Sequence, residues 1–412
     1  MLGLISVSML VGAALWIAEC LRAAVASDGD KLSLPPSESL VIKAWGSPPA
    51  GPDVVQRYQE FAEAGFTHGM CGFSDPKQAG AILDAAGAAG VRMFPMLSHS
   101  PMKGPEVARL FAKHPALAGY FLQDEPSATD FPALTQLARD IMAIDADGAK
   151  VYLANLFPNY ATNQQLGLAP HQKYYEHVHK FLSEVPVNVL SYDYYPINRS
   201  WIDPRWYENM QIMLDAAQMA KMLWWAYIAS VGFHMYPEPS LGSLRLTSYT
   251  NLAYGATGIE HWFYWYYREH RGSAIEADGS RGATWGYDKQ VNAELRAQSG
   301  VFVGSTVKRV RYVGPAIPEQ VKPYEPRGGI TSVEAGGKGA IVSELWKGDY
   351  RFLLIVNQDY LQPIPVKVEW KAPMRVGSVG KDGSVTMLDK PYHADLGPGD
   401  AAILMWLSTA GG

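Results

Sequence analysis

The stretch GYFLQDEP, residues 119–126, has the composition of a buried β-strand that ends in two acids and a proline. GYFLQ is rich in apolar and aromatic residues, and Asp124 and Glu125 follow it side by side. Pro126 disfavours further pairing, because proline has no backbone N–H to donate to a sheet. The pattern therefore predicts that two carboxyl groups lie at the C-terminal end of a strand.

Short apolar runs of this kind recur over residues 40–266 and alternate with helical patterns such as VVQRYQEFAEAG (54–65). The runs are LVIKAW (40–45), THGMCGF (67–73), VRMFPML (91–97), AGYFLQ (118–123), KVYLANL (150–156), VNVLSYDYY (187–195), KMLWWAYIA (221–229) and GIEHWFYW (258–265). Eight strands that alternate with amphipathic helices predict a closed parallel (β/α)8 TIM barrel over residues 35–314. A doubly wound open sheet is the alternative, but WGSPPAGP (45–52) is a proline loop and not a glycine-rich nucleotide loop.

The pattern changes after the Pro/Gly-rich segment PAIPEQVKPYEPRGG (315–329). Apolar runs are then separated by turns, with no helical pattern between them, which predicts an antiparallel β-sandwich over residues 326–412. Trp346, Trp370 and Trp406 occur one per strand, a spacing typical of a core. We expect this sandwich to be structural and not catalytic.

The N-terminal residues 1–26 have the pattern of a secretory signal peptide. Residues 1–18 are apolar apart from two serines, and AVA (24–26) gives a small-x-small cleavage pattern. An uncleaved membrane anchor is the alternative. Cleavage would leave Cys71 as the single cysteine, so no disulfide is expected in the mature chain, which we place in the bacterial periplasm or outside the cell.

Composition narrows the class of partner. A net charge of −5 argues against nucleic acid or an anionic membrane surface. Aromatic residues make up 12% of the chain, which indicates either a well-packed core or a cleft whose rings stack on sugars. The ten histidines contain no HExxH pattern, and the chain has no P-loop, so we expect neither a metal nor a cofactor.

The two acids after the fourth strand suit glycosidic bond cleavage. Functional residues of such barrels lie at the C-terminal ends of the strands. Cleavage needs a carboxylic acid that protonates the leaving oxygen, and usually a second carboxylate. Partial burial and the neighbouring Asp124 would raise the pKa of Glu125, which makes Glu125 the candidate general acid. The structural alternative is an Asp-Glu pair that caps the next helix.

The chain resembles the barrel glycoside hydrolases, in particular their large retaining clan with its β-galactosidase-like members. Strand four of that clan ends in Asn-Glu-Pro, with Glu as acid/base, and residues 124–126 match it with Asp in place of Asn. YTNLAYGATGIEHWFYWYY (249–267) is similar to strand eight and its preceding helix in β-galactosidase-like relatives. The resemblance covers about residues 40–300, and it implies a barrel with a trailing sandwich, a carbohydrate substrate and a retaining mechanism.

One feature of the clan does not carry over. Its nucleophile is a Glu at the end of strand seven, and MLWWAYIAS (222–230) contains no acid. The partners that remain open for Glu125 are Asp193 after strand six, Asp124 itself, and the loop acids Glu238 and Glu269. The missing Glu also leaves open a non-catalytic carbohydrate-binding barrel.

We prefer Asp193 as the second carboxylate. Neighbouring residues of a regular strand point to opposite faces, so Asp124 should diverge from Glu125 unless the strand bends before Pro126. Asp124 would be essential only in a substrate-assisted mechanism like that of the Asp-Glu hexosaminidases, in which the acetamido group of the sugar is the nucleophile.

Further residues are candidates for sugar contact: Trp45, Tyr195, Trp265, Tyr264 and His99. The rings would stack on sugars, and His99 would hydrogen-bond a hydroxyl group. The alternative for the aromatic residues is packing between barrel and helices. Tyr264 and Tyr266 are expected on one strand face and Trp265 on the other, so these three cannot all line the site. Glu260, at the start of strand eight, is expected to be structural.

Overall fold

The computed structural model describes residues 32–408 except 99, 147, 149 and 200. The expected signal segment over residues 1–26 and the candidate residue His99 lie outside the described residues. Within the described part of the chain, no helix is both long enough and apolar enough to cross a membrane.

Eight parallel strands form the N-terminal barrel. They are β1 (Val41–Trp45), β2 (His68–Cys71), β3 (Arg92–Pro95), β4 (Gly119–Asp124), β5 (Val151–Leu156), β6 (Val189–Asp193), β7 (Leu223–Ala229) and β8 (Gly258–Trp262). Their order in the sheet is β3-β2-β1-β8-β7-β6-β5-β4. Parallel bridges from Met93 to Leu117 and from Met96 to Phe121 join the two edges. The predicted (β/α)8 barrel is therefore confirmed.

Helices cover the outside of the barrel. They are α1 (Val54–Glu63), α2 (Pro76–Ala88), α3 (Gly104–Phe111), α4 (Phe131–Met142), α5 (Asn163–Leu166), α6 (Tyr174–Glu184), α7 (Arg205–Ala220), α8 (Leu241–Ala253), α9 (Ala283–Ala297) and α10 (Ser299–Phe302). Local sequence sets their ends: α2 begins after Asp75, whose carboxylate accepts the N–H groups of Lys77 and Gln78 at 2.9 Å. A two-stranded hairpin, Ile197–Asn198 with Trp201–Ile202, follows β6.

The C-terminal strands form the predicted antiparallel sandwich. They are β9 (Thr306–Val313), β10 (Ile330–Ala335), β11 (Ala340–Lys347), β12 (Tyr350–Asn357), β13 (Ile364–Trp370), β14 (Val376–Val379), β15 (Val385–Leu388), β16 (Tyr392–Leu396) and β17 (Ala401–Leu407). The six-stranded sheet has the order β9-β11-β12-β17-β14-β15, and β10, β13 and β16 form the second sheet. Strand β9 lies before the predicted boundary at 314, so the sandwich sheet begins earlier than expected. Trp346 is 39% exposed and does not belong to its core.

Helix α8 joins the two domains. Its sequence, LGSLRLTSYTNLA, has no polar face, and 11 of its 13 residues are buried between the barrel and the six-stranded sheet. Ser343 of β11 donates to the carbonyl oxygen of Ala253 at 2.6 Å. Gln358, just after β12, donates to Thr250 Oγ1 at 3.1 Å and accepts from the hydroxyl of Tyr207 at 2.8 Å. The sandwich thus covers one side of the barrel and shields it from water.

We predict that Gln358→Ala destabilises the protein through this interface. The substitution leaves the buried Tyr207 hydroxyl without its acceptor, which costs about 1–3 kcal/mol of unfolding free energy. Urea denaturation measures the loss, and Thr331→Ala, at an exposed position of β10, is the control that should change little. Equal stability of Gln358→Ala and the control would show that the sandwich contributes nothing to the barrel through this residue.

Candidate active site

The C-terminal ends of β4, β5 and β6 bring three acids together. Asp124 pairs with Asn155 in the β4–β5 register, and Asn155 pairs with Ser191 in the β5–β6 register. Asp193 ends β6, and the negative charges of both Glu125 and Asp124 act on its carboxyl group. We call Asp124, Glu125 and Asp193 the acid cluster.

The backbone at Glu125 explains how adjacent acids can share one site. The β4–β5 register shifts between Phe121 and Asp124, and Glu125 has a φ of 43°, in the left-handed region that non-glycine residues rarely adopt. The N–H of Glu125 donates to the carbonyl oxygen of Asn155 at 2.8 Å. Strand alternation has ended here, so the argument that turned Asp124 away from Glu125 does not apply.

The acid cluster does not cap the next helix. Helix α4 begins at Phe131, and it is Asp130 that accepts the backbone N–H of Ser127, at 2.9 Å. Asp124 instead accepts from Asn155 Nδ2 on the neighbouring strand β5, at 3.1 Å. The structural alternative for the Asp-Glu pair is therefore wrong for this chain.

Burial and mutual repulsion make the acid cluster hold protons. Burial, followed by the charge of Asp124, raises the pKa of Glu125 to about 7. Burial, followed by the charges of Glu125 and Asp124, raises the pKa of Asp193, and a hydrogen bond from Asn155 lowers it in part. Neighbouring acids of this kind titrate as a unit, so one carboxyl group can stay protonated while another is ionised.

Two of the predicted aromatic residues lie at the C-terminal ends of barrel strands, Trp45 at the end of β1 and Tyr195 just after β6. Trp45 is 6% exposed and its ring contacts those of Phe121 at 5.2 Å and Trp262 at 4.8 Å between centroids. Tyr195 packs against Phe233, and its pKa is raised by burial first and then by the charges of Asp193 and Asp124. Both residues belong to the apolar cluster that fills the barrel interior.

Tyr264 and Trp265 lie elsewhere, and their prediction as sugar contacts needs correction. Strand β8 ends at Trp262, so the expected alternation over residues 264–266 does not exist. Tyr264 is fully buried on the outside of the barrel, against Phe61 at 4.7 Å between ring centroids. Trp265 packs beside the guanidinium group of Arg57 on α1, at 5.4 Å.

Sequence reasoning missed several residues at the mouth. Trp262 was not selected because the strand was predicted to continue to residue 265, whereas β8 ends at Trp262. Phe233 and Tyr236 follow β7, where the same strand-end rule could have found them, and their rings contact each other at 4.7 Å between centroids. Tyr160, in the loop after β5, has its pKa raised by burial first and then by the charge of Asp193.

The other acids considered lie outside the cluster. The side chain of Glu238 is 61% exposed and Glu269 is also exposed, so neither loop acid shares the burial of the acid cluster, and neither is among the charges that act on Glu125 or Asp193. Glu260 is fully buried inside the barrel in an ion pair with Lys43. Among the residues that the structure describes, no group of three His, Cys, Asp or Glu side chains could hold a metal ion.

Comparison with known proteins supports the fold. No protein-family model and no curated protein matches this sequence. A family 39 glycoside hydrolase from the gut symbiont Bacteroides cellulosilyticus WH2 matches with a TM-score of 0.53 and 11% identity, over 90% of this chain and 83% of that chain. A GH27 β-L-arabinopyranosidase from Geobacillus stearothermophilus matches with a TM-score of 0.48 and 10% identity, over 91% and 98% of the two chains. The first shows a fold shared with a barrel glycoside hydrolase, so the expected resemblance is confirmed at the level of fold.

We predict a pH-dependent stability difference between the wild type and Glu125→Gln. The pKa of Glu125 is raised from 4.5 to about 7, so the folded state binds this proton more tightly than the unfolded chain does. This stabilisation is complete below the unfolded pKa and is lost as the pH rises through the folded pKa. The wild type should therefore lose more stability than Glu125→Gln between about pH 4.5 and pH 7.

Urea denaturation across this pH range measures the difference. Glu238→Gln makes the same chemical change at an exposed position and should follow the wild type. Parallel curves for Glu125→Gln and the wild type would contradict the raised pKa.

Proposed function

We propose that this protein is an exported glycoside hydrolase that cleaves O-glycosidic bonds of an oligo- or polysaccharide. The observation that carries the proposal is the placement of Glu125 and Asp193 at the C-terminal ends of β4 and β6, where the charge of Glu125 acts on the carboxyl group of Asp193. Barrel enzymes carry out their chemistry at this face. The fold shared with a barrel glycoside hydrolase supports the same reaction class.

Glu125 is the proposed general acid and Asp193 the second carboxylate. The raised pKa of Glu125 keeps its proton available near neutral pH, where it can be donated to the leaving oxygen. Asp193, once ionised, attacks the anomeric carbon or activates a water molecule, and the separation of the two carboxyl groups decides between these routes. We propose retention, because the Glu-Pro acid resembles that of the retaining clan.

Aromatic residues at the mouth suit a sugar ring. Trp45 ends β1 and Tyr195 follows β6, and the partly buried Trp262 and Phe233 contact their rings. Such rings present apolar faces on which the C–H groups of a pyranose can pack, while the carboxyl groups contact its polar edge. Export is proposed from the N-terminal sequence pattern alone, with the periplasm or the cell exterior as the location.

A substrate-assisted N-acetylhexosaminidase is the second candidate function. It is favoured by the position of Asp124, which lies beside Glu125 and is held by Asn155 Nδ2 at 3.1 Å. In this mechanism the acetamido group of the substrate is the nucleophile, Asp124 orients it, and Glu125 remains the acid. The two candidates thus share Glu125 and differ in the second carboxylate.

We predict that Glu125→Gln lowers kcat by about 10²- to 10⁴-fold on natural glycosides, since a positioned acid supplies a factor of this size. The loss should be smaller on aryl glycosides with acidic phenol leaving groups, because these need little protonation. A panel of aryl glycosides and polysaccharides measures both effects, with Glu238→Gln as the matched control. Wild-type kcat in folded Glu125→Gln would refute the assignment, and sugar binding without turnover by the wild type would indicate a non-catalytic barrel.

We predict that Asp193→Asn abolishes activity on substrates with a 2-hydroxyl group, whereas Asp124→Asn reduces it only in part. Asparagine keeps the shape of the side chain but cannot act as a nucleophile or a base. Matched pairs of substrates with a 2-hydroxyl or a 2-acetamido group measure the difference. Activity that is confined to the acetamido substrate and lost only in Asp124→Asn would establish the second candidate instead.

A further inference from the structure

Exposed apolar side chains follow four neighbouring strands of the barrel. Tyr160 follows β5, Trp201 follows β6, Met235 follows β7 and Tyr267 follows β8, and these side chains are 41–57% exposed. The four strands are consecutive in the sheet. Because the loops that follow parallel strands lie at one end of a barrel, the four side chains lie on the face that carries the acid cluster. We call them the rim residues.

Contacts connect the rim residues to the strand end that carries Asp193. The ring of Tyr160 packs against that of Tyr194, the residue after Asp193, at 5.0 Å between centroids. Asn198, in the hairpin that follows β6, donates from Nδ2 to the Sδ atom of Met235 at 3.3 Å. The hairpin and the loop after β7 are therefore neighbours on this face.

Trp201 lies on a hairpin with two different faces. Ile197 pairs with Ile202 and Asn198 pairs with Trp201, so each pair shares one face of the hairpin. The isoleucine face is covered, because both isoleucines pack in an apolar cluster with Tyr360 of the sandwich domain. The opposite face carries the indole ring of Trp201, which is 50% exposed.

The sandwich domain holds this hairpin in place. The hydroxyl of the buried Tyr360 donates to the carbonyl oxygen of Arg199 at 2.6 Å. Arg199 lies in the turn of the hairpin and has a left-handed φ of 56°. A tryptophan ring on a backbone held in this way loses little further freedom when a ligand stacks on it, which favours binding.

The other exposed tryptophan of the described residues is in a different environment. Trp346 of β11 is stacked with the guanidinium group of Arg351, 4.2 Å from its ring centroid, and with the ammonium group of Lys308 at 4.8 Å. These cations occupy its ring through cation–π contacts. Trp346 lies in the sandwich and serves below as the comparison for Trp201.

We propose that Trp201 is the platform of an outer sugar subsite, on which a pyranose ring of a glycan chain stacks at least one unit away from the bond that Glu125 cleaves. The proposal rests on the proposed glycoside hydrolase function and narrows its substrate to an oligo- or polysaccharide chain. A flat apolar indole matches the C–H face of an uncharged pyranose. The other rim residues provide apolar contacts for the units on either side.

The test compares two substrates that share the same sugar. An aryl monoglycoside fills only the position at the acid cluster, and the polysaccharide that the wild type cleaves fastest extends to the rim. Trp201→Ala should raise KM for the polysaccharide roughly 3- to 30-fold with little change in kcat, because the platform binds the ground state and the transition state alike. Its kinetics on the aryl monoglycoside should equal those of the wild type. Trp201→Phe keeps a flat ring and should restore most of the affinity.

Trp346→Ala is the matched control, since it removes an exposed tryptophan of the sandwich, and it should change neither set of kinetics. A wild-type KM of Trp201→Ala on the polysaccharide, or an equal loss on both substrates, overturns the platform. So does a wild-type dimer that dissociates in Trp201→Ala, measured by analytical ultracentrifugation, because the exposed ring is then a contact between two copies of the chain.

Binding without turnover separates this inference from the proposed function. Native gels that contain soluble xylan, galactomannan or mixed-linkage β-glucan should retard the wild type, Glu125→Gln and Trp346→Ala in at least one case, but not Trp201→Ala. Should the wild type cleave no glycoside and still be retarded through Trp201, the proposed function fails and the subsite stands. Equal retardation of Trp201→Ala, or no retardation of the wild type in any gel, overturns the subsite, while loss of activity in Glu125→Gln would still support the hydrolase.

Discussion

The ion pair between Lys43 and Glu260 is the constraint on which the barrel interior depends. Both side chains are fully buried, and the ammonium group lies 5.1–5.9 Å from the ring centroids of Phe94, Phe121, Trp225 and Tyr227. Neither charge could remain there alone, because an unpaired buried ion costs several kcal/mol. Burial lowers the pKa of Lys43, and the charge of Glu260 opposes that effect. The two residues are register partners on β1 and β8, so the pair joins the first strand of the barrel to the last.

The polar interior continues from this pair to the mouth. Glu260 accepts from Ser191 on β6, Ser191 faces Asn155 on β5, and Asn155 donates to Asp124 on β4. The positive charge of Lys43 also acts on Asp124 over this distance. A barrel filled only with apolar side chains would leave the three acids at its mouth without a counter-charge below them. The interior therefore serves both as a core and as the electrostatic support of the acid cluster.

The parts that could be predicted from the sequence are those that depend on local pattern. Alternating runs predicted the barrel, and the strand-end rule selected Glu125 and Asp193 as candidate site residues. The errors arose where tertiary contacts determine the end of a strand or the pairing of two residues. Strand β8 ends at Trp262, earlier than predicted. Tyr264 therefore packs outside the barrel, against Phe61, and not in the mouth. The pairing of Lys43 with Glu260 depends on the register between two strands that are more than 200 residues apart in the chain. A local sequence pattern does not predict such a register.

The backbone at Glu125 accounts for two acids in succession at the end of one strand. In a regular strand they would face opposite sides, and only one could serve the site. The left-handed φ of Glu125 costs on the order of 1–3 kcal/mol, and the chain maintains it with the hydrogen bond to the Asn155 carbonyl oxygen. Pro126 then loses no ladder bond, because it has no N–H to donate. The strain thus places both carboxyl groups at one mouth, where burial and then their mutual repulsion keep a proton on the cluster near neutral pH.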